Sequence, residues 1–285
     1  MKSSIAQVVL TGVTLSLACR TEPLSPPPIE AMGTRSENGR LSDVAAAAVA
    51  VGGLLPDVEE QIPYHLQVVN TQQGEWLRFS ATVFNVGAGK LQIRGGGQVA
   101  PCDLNGVHYD QCTHATQEIL NAAGDVVATN PAGVAIFHPA HNHWHQNDVT
   151  SFILHRGDVT GPVVAEGAKI TFCLIDYDQT VLIANPSATR TYFACNGDFQ
   201  GITPGFGDSY HHSTEGQELE ITGFSVGDYT LEFVGDPTNH WVESDDSNNS
   251  NWTSFFLSRQ GANPEITITG HSPCDRVTCG NSSNK

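Results

Sequence analysis

WLRFSATVFNVG, residues 76–87, reads as a β-strand running into a turn, NVGAG (85–89). Further strand-like runs lie on both sides of it: HLQVVNT (65–71), LQIRG (91–95), VTSFILHR (149–156), KITFCLID (169–176), LEITGF (219–224), YTLEFVG (229–235) and WTSFFLS (252–258). GDVTG and VGD punctuate the later ones. Short strands at this spacing predict an all-β, sandwich-like domain with long loops and little helix. Composition agrees: 28 Gly and 15 Pro among 285 residues favour a turn-rich protein, and 39% hydrophobic content suffices for a core.

The flanks read differently. Lys2 followed by a short apolar stretch (5–18) predicts an export signal over residues 1–19, too short for a comfortable membrane span. Cys19, preceded by Leu17-Ala18, is a candidate for lipid attachment. Residues 20–53 contain SPPP (25–28) and DVAAAAVAV (43–51) and are expected to form a flexible linker with one short helix. The folded domain is expected over 54–270 and a tail over 271–285, with its last residues, 280–285, disordered. Six cysteines remain beyond Cys19, an even number that suggests disulfides in an exported chain. Sequence proximity pairs them 102–112, 173–195 and 274–279. The absence of CxxC argues against a zinc–thiolate cluster. A net charge of −17 disfavours nucleic acid and anionic lipid as partners and favours cationic ligands such as amines. The chain is expected to be secreted or held in the cell envelope, touching a membrane only through a lipid on Cys19.

The segment richest in chemistry is FHPAHNHWHQND (137–148). Five of the 12 histidines fall between His138 and His155, and His141, His143 and His145 occupy i, i+2 and i+4. Side chains two apart on a strand share a face, so three imidazoles can converge on one metal ion. Imidazole suits copper and zinc, and three protein ligands leave positions open for water or dioxygen. Spacing alone leaves copper, zinc and iron open.

HPAHNHWHQND resembles the copper-binding segment of lysyl oxidases, WHxCHQHYHxMD, and the family's copper ligands fall on His141, His143 and His145. VAEGAKITFCLID (164–176) is similar to VAEGHKASFCLED, and GITPGFGDSY (201–210) to GLSPGCYDTY. ITGFSVGDYTLEF (221–233), VESDDSNN (242–249) and LLPDVEE (54–60) match further family segments in order. The resemblance implies that Lys169 and Tyr210 are the precursors of a lysine tyrosylquinone. It implies oxidative deamination of primary amines, peptidyl lysine or small amines, to aldehydes with release of ammonia and hydrogen peroxide. A lysine-rich protein is then a candidate partner. Asp208 and Asp148 are candidate bases. The glycines of PGFGDSY (204–210) are expected to give Tyr210 a loop that can swing. Asp57, Glu243, Asp245, Asn248 and Asn249 offer hard oxygens for calcium. Where the family has histidine before the lysine this chain has Ala168, and two family cysteines become Phe206 and Gly216. His211 and His212 have no assignment.

Two other readings use the same residues. A mononuclear zinc or iron enzyme would employ the histidines without a quinone, leaving Lys169 and Tyr210 unlinked. A non-enzymatic calcium-binding β-sandwich would account for VESDDSNN but not for the histidine face.

Overall fold

The computed structural model describes residues 35–285 apart from 105, 140–141, 168–170, 181, 196–198, 276 and 280–285. The sequence expectations for 1–19, for Cys19, for the start of the linker and for 280–285 therefore lie outside the described residues, as do those for His141 and Lys169.

One helix, α1 (Arg35–Ala50), precedes the strands β1 (Gly53–Leu54), β2 (Val58–Glu60), β3 (Tyr64–Thr71), β4 (Gly74–Asn85) and β5 (Leu91–Leu104). The chain continues through β6 (Val107–Asn121), β7 (Val126–His138), β8 (His143–Gln146), β9 (Thr150–Arg156), β10 (Val163–Glu166) and β11 (Asp178–Gln179). It ends with β12 (Gln200–Ile202), β13 (Phe206–Tyr210), β14 (Glu218–Glu220), β15 (Gly227–Gly235), β16 (Ser250–Gln260) and β17 (Asn263–His271). Helix α1 lies within the segment read as a tether, and its Leu41 and Ala48 are buried with Leu55, Ile119 and Val242.

The protein is all-β apart from α1, as the sequence predicts, and its strands form antiparallel sheets. One runs β12-β5-β6-β7-β8 with β1 beside β6, and a second runs β10-β9-β15-β16-β17. In the third, β4 is the hub, pairing with β13, β14, β2 and β3. Alternation explains the hub. Leu77, Phe79, Ala81 and Val83 point to one side of β4 and are all buried. They meet Phe152 and Leu154 of β9, Tyr229, Leu231 and Phe233 of β15, and Phe255 and Leu257 of β16 in one core. Phe152 sits at its centre, with ring centroids 4.6 Å from Phe79 and 4.8 Å from Phe233. Burying a side chain of this kind contributes about 1.5–3 kcal/mol. The packing of β4 against β9 and β15 is the sandwich-like element.

Two local expectations change. KITFCLID is not a regular strand over its described part: Phe172 makes one isolated bridge to Gln146. Beyond it the backbone bonds to different elements in turn, Leu174 N to the Gln200 side chain, Asp176 N to Tyr192 O and Tyr177 N to Gly207 O. With no single neighbouring strand to satisfy the segment, no ladder forms. PGFGDSY is likewise not a free loop. Phe206–Tyr210 is strand β13, registered against β4 with Gly207 opposite Phe84 and Tyr210 opposite Ala81. It is entered through the turn Thr203-Pro204-Gly205-Phe206, where Phe206 N donates to Thr203 O at 2.9 Å and Gly205 has φ +81°. Pro then Gly at the central positions is what a type II turn requires.

All three expected cysteine pairs are disulfides, Cys102–Cys112, Cys173–Cys195 and Cys274–Cys279.

Candidate metal centre and its cleft

Strand β8 carries His143 and His145 on the end of the first sheet, paired with β7 so that Ile136 lies opposite His145 and His138 opposite His143. The i, i+2 spacing does what strand geometry dictates. The Nε2 atoms of His143 and His145 come to 2.9 Å from each other. His145 is buried, its Nδ1 is hydrogen-bonded to Thr171 Oγ1 at 3.1 Å, and the His138 ring stacks on it at 5.0 Å. With Nδ1 fixed by the threonine, Nε2 is the nitrogen available to an ion.

Both histidines open onto a cleft of about 700 Å³ whose wall also includes Tyr210, Asp208, Tyr64 and His65. Tyr210 ends β13. Its ring lies edge-on to Phe172 at 4.5 Å and its hydroxyl donates to Cys173 O at 3.0 Å. Burial raises the Tyr210 pKa well above the ordinary phenol value, and the Asp208 carboxylate, within hydrogen-bonding reach of the hydroxyl, raises it further. The phenol is therefore protonated at neutral pH. Asp208 is buried. The other candidate base, Asp148, has φ +55° and accepts a hydrogen bond from Asn147 Nδ2 at 2.7 Å. Of the two, Asp208 is the one on the cleft wall.

The Cys173–Cys195 disulfide joins the two halves of this arrangement. Cys173 O holds the Tyr210 hydroxyl, and Cys195 O accepts from Trp144 N, between the two histidines, at 2.9 Å. Below it, buried Asp176 accepts from the backbone of Thr191, Tyr192 and Thr203 and from the Thr203 hydroxyl. Four donors satisfy this carboxylate and tie the loop after Cys173 to the turn that launches β13. Thr171 and Asp176 gave no signal in the sequence beyond their place near Lys169.

A second constellation lies between β2 and the loop before β16. Asn248 Nδ2 donates to Asp57 Oδ1 and to Glu59 Oε1, both at 2.9 Å, and Asn249 Nδ2 donates to Glu243 Oε1 at 2.9 Å. Asp57, Glu243, Asn248 and Asn249 are thus brought together, while Asp245 accepts from Ser247 N and Oγ. The Oδ1 atoms of Asn248 and Asn249 are buried without a hydrogen-bond partner among the described residues. Burial first, then the nearby Asp236 carboxylate, raises the Glu243 pKa well above the ordinary range. Orphaned carbonyl oxygens beside a buried carboxylate are what a hard cation would complete. Gly87 permits the close approach, since a Cβ there would meet Asp57 N at 2.4 Å.

His211 and His212 also find a place. Together with His65 of β3 they put one ring nitrogen each within 4.8 Å of the others. His65 was invisible to sequence reading, being 146 residues away and isolated. Burial is the main cause lowering the His65 and His212 pKa values, assisted by the neighbouring His211, so both rings favour the neutral form.

In chemical terms this is an antiparallel β protein with paired imidazoles and a partly buried tyrosine on one cleft. A sequence profile of the lysyl oxidase family matches residues 108–263, more than half of the chain, and spans β8, β13 and the acidic loop. The chain belongs to the lysyl oxidase family. Lysyl oxidase homolog 4 of Mus musculus is 39% identical over 116 residues, 40% of this chain and 14% of that protein. Lysyl oxidase homolog 3B of Danio rerio is 35% identical over 116 residues, again 40% and 14%. Lysyl oxidase homolog 2 of Rattus norvegicus is 33% identical over 129 residues, 45% of this chain and 16% of its own length. The matched region therefore spans less than a fifth of each of these relatives.

Proposed function

We propose that the chain is a copper- and quinone-dependent amine oxidase that converts primary amines to aldehydes. The observation that carries this reading is the pair of Nε2 atoms of His143 and His145, 2.9 Å apart, on the cleft that also holds Tyr210. Cis donors around an ion at about 2.0–2.1 Å fall at roughly that separation, so the donor set fits copper. His143 and His145, with His141, are the proposed ligands. Bound copper with dioxygen would supply the oxidation of the Tyr210 ring, and the quinone made with Lys169 would take two electrons from the amine.

The chain's own residues support that chemistry in definite ways. Thr171 keeps the His145 ring oriented. Cys173 O holds the Tyr210 hydroxyl, and the edge contact with Phe172 fixes the ring plane. Asp208 is the carboxylate positioned to take a proton at the cleft wall. The net charge of −17 draws cationic amines, whether free or on a lysine-rich protein, toward the cleft. Calcium at Asp57, Glu243, Asp245, Asn248 and Asn249 would tie the start of the domain to the loop before β16. Three disulfides support an extracytoplasmic location, free or anchored through Cys19.

Amine-dependent peroxide release by copper-loaded protein tests the reading. Tyr210→Phe should abolish it while copper stays bound. Full activity in that variant would instead support a mononuclear metalloenzyme with no quinone.

A further inference from the structure

We propose that His65, His211 and His212 form a second transition-metal site at the rim of the cleft, built from three imidazoles and open to solvent. It goes beyond the oxidase reading, shares no ligand with the His143/His145 centre, and stands or falls separately.

The first argument is backbone. Between Tyr64 and Gln67, strand β3 uses one residue more than its partner β4, where Ser80 and Arg78 are the matching positions. His65 sits in that bulge with φ +52°. A bulge re-aims a side chain, and a non-glycine residue in the left-handed region is an outlier that needs a compensating contact. Here the side chain is re-aimed onto residues 211 and 212, immediately after Tyr210. The ring centroid of His65 lies 5.8 Å from His211 and 5.7 Å from His212, and those two rings are 3.8 Å apart.

The second argument is hydrogen bonding. His65 Nδ1 is hydrogen-bonded to Ser80 Oγ at 3.3 Å, and the same hydroxyl accepts from His212 N at 2.9 Å. His211 Nδ1 is hydrogen-bonded to Ser213 Oγ at 2.8 Å. With the ring proton of His65 on Nδ1 and the serine oxygen accepting it, that ring keeps Nε2 as a lone-pair donor, the arrangement seen where an outer partner orients a metal-binding imidazole. His211 Nδ1 also accepts from Ser213 N at 3.3 Å, so an ion at its Nε2 would move the ring proton to Nδ1, onto the Ser213 hydroxyl oxygen. His212 Nδ1 is buried and has no hydrogen-bond partner among the described residues. Three imidazoles thus present nitrogens within 4.8 Å of one another, an arrangement that a shared cation would complete.

The chemistry selects the ion. Imidazoles without carboxylates suit borderline divalent ions, Cu²⁺ ahead of Zn²⁺, and disfavour Ca²⁺ and Mg²⁺. Tetrahedral ligation at about 2.0–2.1 Å places nitrogens about 3.3–3.4 Å apart, so the present limit of 4.8 Å asks for a small contraction of exposed His211. His65 and His211 line the same cleft as Tyr210, so an ion there would pin the end of β13 at the substrate entrance.

Zinc stoichiometry of the full chain, measured by equilibrium dialysis and elemental analysis with calcium saturating, tests the site. Wild type should bind two zinc ions. His143→Ala/His145→Ala should keep one, His65→Ala/His211→Ala should keep one, and the combined variant none. If His65→Ala/His211→Ala binds as much zinc as wild type, the second site is refuted. If zinc is lost only in that variant and never with His143→Ala/His145→Ala, the rim site stands and the oxidase centre falls. Should the double variant fail to fold, His65→Asn, a residue that tolerates positive φ, must by itself remove one zinc while the circular dichroism spectrum is retained. Retained zinc in His65→Asn would refute the site equally.

Discussion

Replacing both Cys173 and Cys195 by alanine removes a cross-link that closes a 22-residue separation. On the chain-entropy model the loss is about 3.4 kcal/mol at 25 °C. At about 2–4 °C per kcal/mol for a domain of this size, Tm should fall by roughly 7–14 °C. The structure predicts a second effect that entropy alone does not. Cys173 O holds the Tyr210 hydroxyl and Cys195 O holds Trp144 N, so the bridge keeps the histidine strand and the tyrosine strand in one relation. Its loss should weaken copper retention and amine-dependent peroxide release well below the Tm of the variant. Cys274→Ala/Cys279→Ala is the control, because its 5-residue separation gives about 2.1 kcal/mol on the same model and its cysteines are not on the cleft wall. Calorimetry, copper analysis and a peroxide assay on the three proteins decide the matter. A loss below about 1 kcal/mol, or equal loss of copper in the control, would refute the clamp.

Other outcomes follow from the packing and the charges. Phe152→Ala should cost about 3–5 kcal/mol by chemical denaturation, because the ring is fully buried between Phe79 and Phe233; a cost under 1 kcal/mol would remove it from the core. Exhaustive calcium chelation should lower Tm, since an ion bound only by the folded state stabilises it by mass action, and Glu243→Gln should blunt that response. Glu60 is fully buried, neither of its carboxylate oxygens has a hydrogen-bond partner among the described residues, and burial raises its pKa well above the ordinary range. A carboxyl raised on folding stabilises below its unfolded pKa, and that stability is lost as pH rises through the folded value. Calcium-free protein should therefore lose stability toward alkaline pH, and Glu60→Gln should flatten that slope; an unchanged slope would mean Glu60 finds a partner in solution.

What was legible in the sequence was what repeats locally. β4, β9, β15 and β16 show themselves because alternate residues such as Leu77, Phe79, Ala81 and Val83 face one core. β6 and β7 do not. Their pairing slips around His114–Thr116 opposite Pro131–Val134, and Gly133 within β7 has φ +80°, so Asn-Pro and Gly resemble a loop although the ladder resumes beyond them. KITFCLID misleads in the opposite sense, with a strand's composition but partners spread over several elements. In the site, the alternation of His143 and His145 and the proximity of the cysteine pairs were readable, because both are short-range. The roles of Thr171, Asp176 and His65 were not, because each depends on a contact across strands distant in sequence.

Intact mass combined with peptide mapping of copper-loaded protein bears most directly on the proposed oxidase. The expected result is one cross-linked peptide joining Lys169 to Tyr210, with the chain gaining one oxygen and losing four hydrogens, and neither change appearing in Tyr210→Phe. Copper bound at His143 and His145, with Lys169 and Tyr210 recovered in separate unmodified peptides, would contradict it.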